Sequence, residues 1–278
     1  MPSRTEPPVG QALVLGLLHG PAELLPISSS GHVAVMPSLL RWSYADSDPQ
    51  LRKAFEVTLH TGTAAALLVA LRAEVQEVVK GLGPRMIGLG VLTLAPAAII
   101  GLALEGPIER RLGTPVTVAV GLVAGSVALA WGDRFPQERA AADAGIVDAL
   151  VLGLAQACAL VPGVSRSGAT LAAARARHFS RTDAHRLSRE AALPVIAGAT
   201  FLKGVRLARR GLPPTSRIPF AVGAGASFAS TLGSAWLIRR GARDRPLLAY
   251  AAYRLALAAV ILGRRPAPAG AGLTPATR

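Results

Sequence analysis

The sequence predicts an all-α polytopic membrane protein, built as an inverted-topology repeat with two re-entrant helical hairpins. Three observations lead there. The chain of 278 residues is 51% hydrophobic and only 17% charged, with a mean hydropathy of +0.42, whereas a soluble domain carries roughly 25% charged residues. Its apolar residues fall in charge-free runs, Met86 to Leu104, Pro115 to Trp131 and Ile218 to Ile238, each close to the ~20 residues a helix needs to cross a bilayer core. Two polar Ser/Gly breaks interrupt the apolar sequence at matching places in the two halves of the chain.

Apolar segments fall at 11–26, 32–40, 55–71, 86–104, 115–131, 145–161, 169–176, 190–206, 217–238 and 246–263. Segments 32–40 and 169–176 are too short to span, and each follows an apolar segment and a polar break. A short helix, a polar turn and a second short helix describe a re-entrant hairpin, which a membrane tolerates only where protein or water surrounds the irregular backbone. The breaks are therefore the places to look for function. A shift of 137 residues lays Leu15-Gly16-Leu17 on Leu152-Gly153-Leu154, Ser28 on Ser165, Ser30 on Ser167 and Gly31 on Gly168. It also lays His19 on Gln156 and Ser29 on Arg166. The expected organisation is one transmembrane domain over 1–278, made of repeat 1 (about 10–131) and repeat 2 (about 145–263). Three full spans between the hairpins make the second enter from the opposite face, so that the polar tips can meet near the bilayer midplane. The stretch 264–278, rich in Ala, Pro and Gly, is expected to be a disordered tail.

The net charge of +14 does not indicate nucleic acid. Its Arg residues cluster between apolar runs: Arg175, Arg177, Arg181 and Arg186; Arg206, Arg209 and Arg210; Arg239, Arg240, Arg243 and Arg245. That pattern suits loops beside an anionic membrane surface, and 4% aromatic residues leave little platform for stacking bases. The single cysteine, Cys158, excludes an intramolecular disulfide and an all-thiolate metal site. Only Arg4 precedes the first apolar segment and no small-residue cleavage site follows it, so no cleaved signal is expected.

The first break reads His19-Gly-Pro-Ala-Glu23-Leu-Leu-Pro26-Ile-Ser28-Ser29-Ser30-Gly31-His32. His19 and Glu23 share a helix face. A carboxylate inside an apolar segment suggests function by default, as a ligand for a hard cation such as Mg²⁺ or Ca²⁺ or as a general base. Pairing with a loop arginine is the plainer alternative. Ser29 and His32, three apart across a glycine, suit a nucleophile pair, although serines before glycine also serve as helix caps. The second break, Pro162-Gly163-Val164-Ser165-Arg166-Ser167-Gly168-Ala169-Thr170, opens onto an Ala-rich helix whose free N–H groups make an anion site. Arg166 can grip phosphate oxygens bidentately there or snorkel to the interface. Together these groups suggest phosphoryl chemistry on a lipid-borne substrate.

The stretches Leu15 to His32 and Val161 to Thr170 closely resemble the two signature motifs of the undecaprenyl-diphosphatases, the bacitracin-resistance phosphatases. Ala54-Phe55-Glu56-Val57 with Gly62, Leu193 to Ala199, and Tyr253-Arg254 resemble further landmarks of that family in the same order. The resemblance implies hydrolysis of undecaprenyl diphosphate to the monophosphate, recycling the lipid carrier of peptidoglycan synthesis, with a divalent cation (Mg²⁺ or Ca²⁺). It implies a multi-pass protein of the plasma membrane with its site open to the outer face. It makes Glu23 part of the acidic motif and a metal ligand, Ser29 the nucleophile, His32 its acid/base partner and Arg166 the diphosphate clamp. Ser28, Ser30, Ser165, Ser167 and Thr170 become supporting phosphate contacts. Partners are the bilayer and a polyprenyl diphosphate; a homo-oligomer is compatible, and nucleic acid is not expected.

Two departures stand out. His19 occupies a position that is usually Glu or Gln; a neutral imidazole there can ligate metal beside Glu23 or shuttle protons, but it suits Mg²⁺ and Ca²⁺ less well than a carboxylate. Arg189-Glu190 stands where the family tends to be apolar. The span is then expected to start near Ala191 with that pair at the interface, since a buried ion pair is costly. His60 is read as lining the site and Arg254 as structural. Direct attack by water, activated by His32 or Glu23, stays open, as does a divergent paralogue acting on another isoprenyl diphosphate. The rival class is a polyprenyl-phosphate transporter or flippase, which the inverted repeat also suits. A non-catalytic scaffold would have no use for the Ser and Arg loops.

Overall fold

The protein is described by a computed structural model covering residues 6–81, 83–210, 214–241 and 246–264. Arg243 and Arg245 of the basic clusters and the tail from 265 onward lie outside the described residues. The described chain is helical: α1 (Val9–Leu24), α2 (Ser29–Leu39), α3 (Pro49–Ala70), α4 (Arg72–Lys80), α5 (Pro84–Arg111), α6 (Pro115–Gly132), α7 (Ile146–Cys158), α8 (Arg166–Ala176), α9 (Arg181–Arg210), α10 (Arg217–Gly241) and α11 (Leu248–Gly263). Proline in the first turn starts α3, α5 and α6, where its missing N–H costs no helix bond. Asp48 and Thr114 cap α3 and α6 through Gln50 N and Thr117 N.

Pro84–Leu104, Pro115–Gly132 and Arg217–Arg240 are long and apolar enough to cross a membrane, and they contain the three charge-free runs of the sequence. Helices α3 and α9 begin at Pro49 and Arg181, well before the expected 55 and 190, because charged first turns are helical without being apolar. Helix α4 was not expected; it holds Arg72, Glu74 and Lys80 and has no apolar run to reveal it. In α9, Glu190 bonds Arg186 one turn back at 2.7 Å rather than Arg189, an exposed i,i+4 pair of the kind worth a few tenths of a kcal/mol.

The arginines around 175–186 are structural rather than free loop charge. Asp133 receives Arg181 Nε at 2.8 Å and the Leu247 amide at 3.1 Å. Asp148 receives Arg139 at 2.7 Å and Arg177 at 2.8 Å. Arg175, 1% exposed, donates to the carbonyls of Phe135, Pro136 and Phe179. A buried guanidinium is sustained only when its donors are filled this way.

Beside an apolar core that includes Leu15, Phe55, Leu122 and Leu171, the surface carries large apolar side chains and the interior carries polar ones. Ile99, Leu102, Val127, Ile146 and Phe201 are exposed, while His19, Thr63, Gln156, Thr231 and Arg254 are buried. Helix α1 packs along α10 and α7 along α5; α3 packs on α10, α6 on α11, and α8 lies against α6 and α9. Glycine sets the α1–α10 spacing. A Cβ at Gly20 would fall 2.5 Å from Thr231 N, and one at Gly16 would fall 2.5 Å from the Gly223 oxygen. Small residues at such a seam let helix backbones approach closely. Gly20→Val is therefore expected to destabilise by about 1–3 kcal/mol or more, read as a lower thermal midpoint in detergent. An unchanged midpoint would mean that the seam is not close-packed.

Candidate active site

Two helix–break–helix units bring polar groups together. Helix α1 ends at Leu24 and α2 starts at Ser29; α7 ends at Cys158 and α8 starts at Arg166. Ser28 and Ser165, matched by the 137-residue shift, adopt φ of 76° and 69°, uncommon for a residue with a side chain. Each caps the following helix, Ser28 Oγ accepting from Gly31 N and Ser165 Oγ from Gly168 N, both at 3.2 Å. Gly163, at φ 96°, supplies the turn before the second cap. Of the four non-glycine residues with positive φ among the described residues, Ser28 and Ser165 sit at the breaks and Arg41 and His178 just past the ends of α2 and α8; at a break such strain can mark function.

The breaks touch. Arg166 Nη2 donates to Glu23 Oε1 at 3.0 Å and Ser167 Oγ to the Leu25 carbonyl at 3.2 Å. Arg254 on α11, fully buried, donates to the Pro26 carbonyl at 3.3 Å and to those of Gly163 and Val164 at 3.0 and 2.8 Å. It thus ties both breaks to one side chain. A Cβ at Gly125 of α6 would fall 2.0 Å from its guanidinium, so this glycine is what leaves it room.

Ser29 Oγ donates to Glu23 Oε2 at 2.6 Å. The Ser29–His32 hydrogen bond expected from their spacing is not formed. The reason is local: His32 Nδ1 lies 2.7 Å from the Ser28 carbonyl, which only accepts, so Nδ1 carries the proton. Its Nε2 then accepts from Tyr253 Oη at 2.7 Å. Both ring nitrogens are engaged, and the group bonded to Ser29 is the carboxylate. Ser30 is half-buried in the first turn of α2. Ser165 Oγ and Ser167 Oγ lie 3.3 Å apart beside Arg166. Thr170 turns elsewhere: it is fully buried, bonds the Arg166 and Ser167 carbonyls, and meets Ser188 Oγ of α9 at 2.6 Å. Its hydroxyl serves the α8–α9 contact.

His60 of α3 joins the centre. Its Nε2 lies 3.9 Å from Glu23 Oε2, and its ring meets that of His19 edge to face with centroids 4.5 Å apart. His19, Glu23 and His60 could hold a metal ion, their ligand atoms lying within 4.8 Å of one another. The sequence placed His19 and Glu23 on one face; His60, a lone imidazole in an apolar run, was the available signal for the third member. The set is two imidazoles and one carboxylate, which fits a divalent cation but not the all-oxygen preference of Mg²⁺ or Ca²⁺.

Carboxylate, hydroxyl, guanidinium and two capped helix N-termini at the junction of broken apolar helices define a helical membrane protein with a centre suited to phosphoryl groups. Over residues 12–260 the sequence matches the family model described as bacitracin resistance protein BacA. It is 37% identical over 258 residues to the undecaprenyl-diphosphatase of Trichlorobacter lovleyi, covering 88% of this chain and 93% of that one. It is 38% identical over 264 residues to that of Geobacter sulfurreducens, covering 90% and 96%. Against that of Moorella thermoacetica it is 34% identical over 266 residues, covering 91% and 96%. The chain belongs to the BacA family of bacitracin resistance proteins.

Proposed function

We propose that this protein is a membrane phosphatase that hydrolyses undecaprenyl diphosphate to undecaprenyl phosphate and inorganic phosphate, returning the lipid carrier to peptidoglycan synthesis. Family membership supports the reaction. The observation that carries the chemistry is the Ser29–Glu23–Arg166 chain of hydrogen bonds across the two breaks. Ser29 Oγ attacks the terminal phosphorus, and its proton passes to Glu23, already its acceptor. The bond from that phosphorus to the bridging oxygen breaks, and undecaprenyl phosphate leaves. Glu23 gives up that proton to the departing phosphate or to solvent. Water then attacks the phosphoserine, Glu23 taking its proton and returning it to Ser29 Oγ as the Oγ–phosphorus bond breaks and inorganic phosphate leaves. Arg166, aided by the positive N-terminal ends of α2 and α8, holds the phosphate oxygens. Ser28, Ser30, Ser165 and Ser167 line this cradle, while His32 and Tyr253 form its hydrogen-bonded wall. A divalent cation, when bound, adds positive charge beside the phosphates and would be held by His19, Glu23 and His60.

The same reading makes the chain one transmembrane domain of two inverted repeats. Each contributes a re-entrant hairpin, α1–α2 or α7–α8, with the site open to the outer face of the plasma membrane and the exposed aliphatic side chains against lipid. The reciprocal packing of α1 on α10 and α7 on α5 supports an exchange of helices between halves.

Acid quenching of enzyme mixed with undecaprenyl diphosphate labelled at the terminal phosphate tests the serine. Wild type is expected to retain labelled phosphate on Ser29, and Ser29→Ala to retain none while losing roughly 10³-fold or more in kcat. Phosphate release by Ser29→Ala at wild-type rates would instead indicate direct attack by water. Transport of polyprenyl phosphate across liposomes without phosphate release would overturn the phosphatase reading.

A further inference from the structure

We infer that His19, Glu23 and His60 form a nitrogen-rich cation site that selects a borderline transition ion, of the zinc or cobalt kind, over magnesium and calcium. As a cofactor of hydrolysis the ion's role rests on the reading above; its binding does not.

Both imidazoles are prepared in the manner of metal ligands. His60 Nδ1 meets the Glu56 carbonyl at 2.9 Å, an acceptor only, so the proton sits on Nδ1 and the Nε2 lone pair is free to bind. His19 Nδ1 lies 2.8 Å from Thr63 Oγ1. Thr231 Oγ1, which also lies 2.6 Å from the Ser227 carbonyl, donates to Thr63 Oγ1 at 3.3 Å. A hydroxyl oxygen has two lone pairs, so Thr63 can accept from His19 Nδ1 as well. In that tautomer His19 also offers an Nε2 lone pair. That atom is buried without a hydrogen-bond partner, in a side chain that is 0% exposed. An orphaned imidazole nitrogen at such a place is costly unless something binds it.

Anchoring of the remote nitrogen by an oxygen acceptor is the usual support of a ligating histidine. The three ligand atoms lie within 4.8 Å of one another. Bonds of about 2.0–2.2 Å in tetrahedral geometry set donors about 3.3 Å apart, so the set closes with side-chain shifts of about 1.5 Å or less. Three protein ligands leave a position open for a phosphate oxygen or water. Oxygen-seeking Mg²⁺ and Ca²⁺ gain little from two imidazoles, whereas zinc, cobalt and their neighbours favour them.

The test is cobalt uptake by the full chain, purified in detergent and stripped with chelator, followed by the visible ligand-field spectrum with Mg²⁺ or Ca²⁺ as competitor. Wild type is expected to bind one Co²⁺ per chain and to keep it against about a hundred-fold excess of Mg²⁺. His60→Gln and His19→Gln are each expected to weaken Co²⁺ by about tenfold or more and to change the spectrum. His60 is 31% exposed, so its variant leaves no buried cavity, and a matched thermal midpoint confirms its fold. His19→Glu is expected to shift preference back toward Mg²⁺. Displacement of Co²⁺ by an equal concentration of Mg²⁺, or an unchanged Co²⁺ spectrum in both glutamine variants, would overturn the inference. Phosphate release in Mg²⁺ by a protein that takes up no Co²⁺ would also overturn it while sparing the phosphatase. Co²⁺ uptake without phosphate release under any ion would uphold the site and remove the phosphatase.

Discussion

Arg166→Ala is expected to cut phosphate release from undecaprenyl diphosphate by about a hundred-fold or more in kcat/KM, the scale seen when one donor to a developing oxyanion is removed. Arg166 is the first residue of α8 and reaches across the junction to Glu23 at 3.0 Å, which holds its fork beside the proposed nucleophile. The substitution removes the only side-chain cation bonded to Glu23 among the described residues, and the planar pair of donors that fits two phosphate oxygens. Arg166→Lys keeps the charge without the fork and should recover only part of the loss. The side chain is 18% exposed and its loss leaves Glu23 without its guanidinium, so a moderate drop in thermal midpoint is expected beside the loss of turnover. Near-normal turnover by folded Arg166→Ala would remove the arginine from the chemistry and leave it as the structural partner of Glu23.

Arg254→Ala is expected to act through the fold instead. The guanidinium is fully buried and serves carbonyls of Pro26, Gly163 and Val164. Its removal orphans these acceptors at about 1–3 kcal/mol for each that water does not reach. A cavity opens as well, for a total of about 3–5 kcal/mol. The expected result is a sharply lower thermal midpoint in detergent and loss of turnover together, in contrast to the moderate drop of Arg166→Ala. A normal midpoint with lost turnover would transfer Arg254 from the frame to the site.

Much of this was legible in the sequence. The three charge-free runs are three of the long helices, and the Ser/Gly breaks do interrupt apolar helices. Glu23, chosen because a carboxylate in an apolar segment is costly, and Arg166, chosen for its place in a Ser/Gly loop suited to an anion, are hydrogen-bonded to each other. What escaped depended on contacts between distant positions or on side-chain orientation. Arg254 could be recognised as structural, but not as the tie between the breaks, because its partner Pro26 lies 228 positions away. Spacing put Ser29 near His32, but could not show that the ring turns to the Ser28 carbonyl and Tyr253, leaving Ser29 to Glu23. Thr170 shares a motif with Arg166 yet points toward α9, a matter of helix phase. The charged turns opening α3 and α9 carry no hydrophobic signal.

The partnership of α1 with α10 has a consequence for how the polypeptide is made. Ser230 Oγ reaches the Gly16 carbonyl across 214 positions, so α1 must wait for α10, which is made much later. Until α10 is threaded into the bilayer, the narrow glycine seam of α1 is without that cover, and Thr63, the partner of His19, is without Thr231. A nascent chain halted after α6 would therefore hold a half-built centre that the membrane cannot shield well. Assembly of the centre is thereby tied to completion of the C-terminal half.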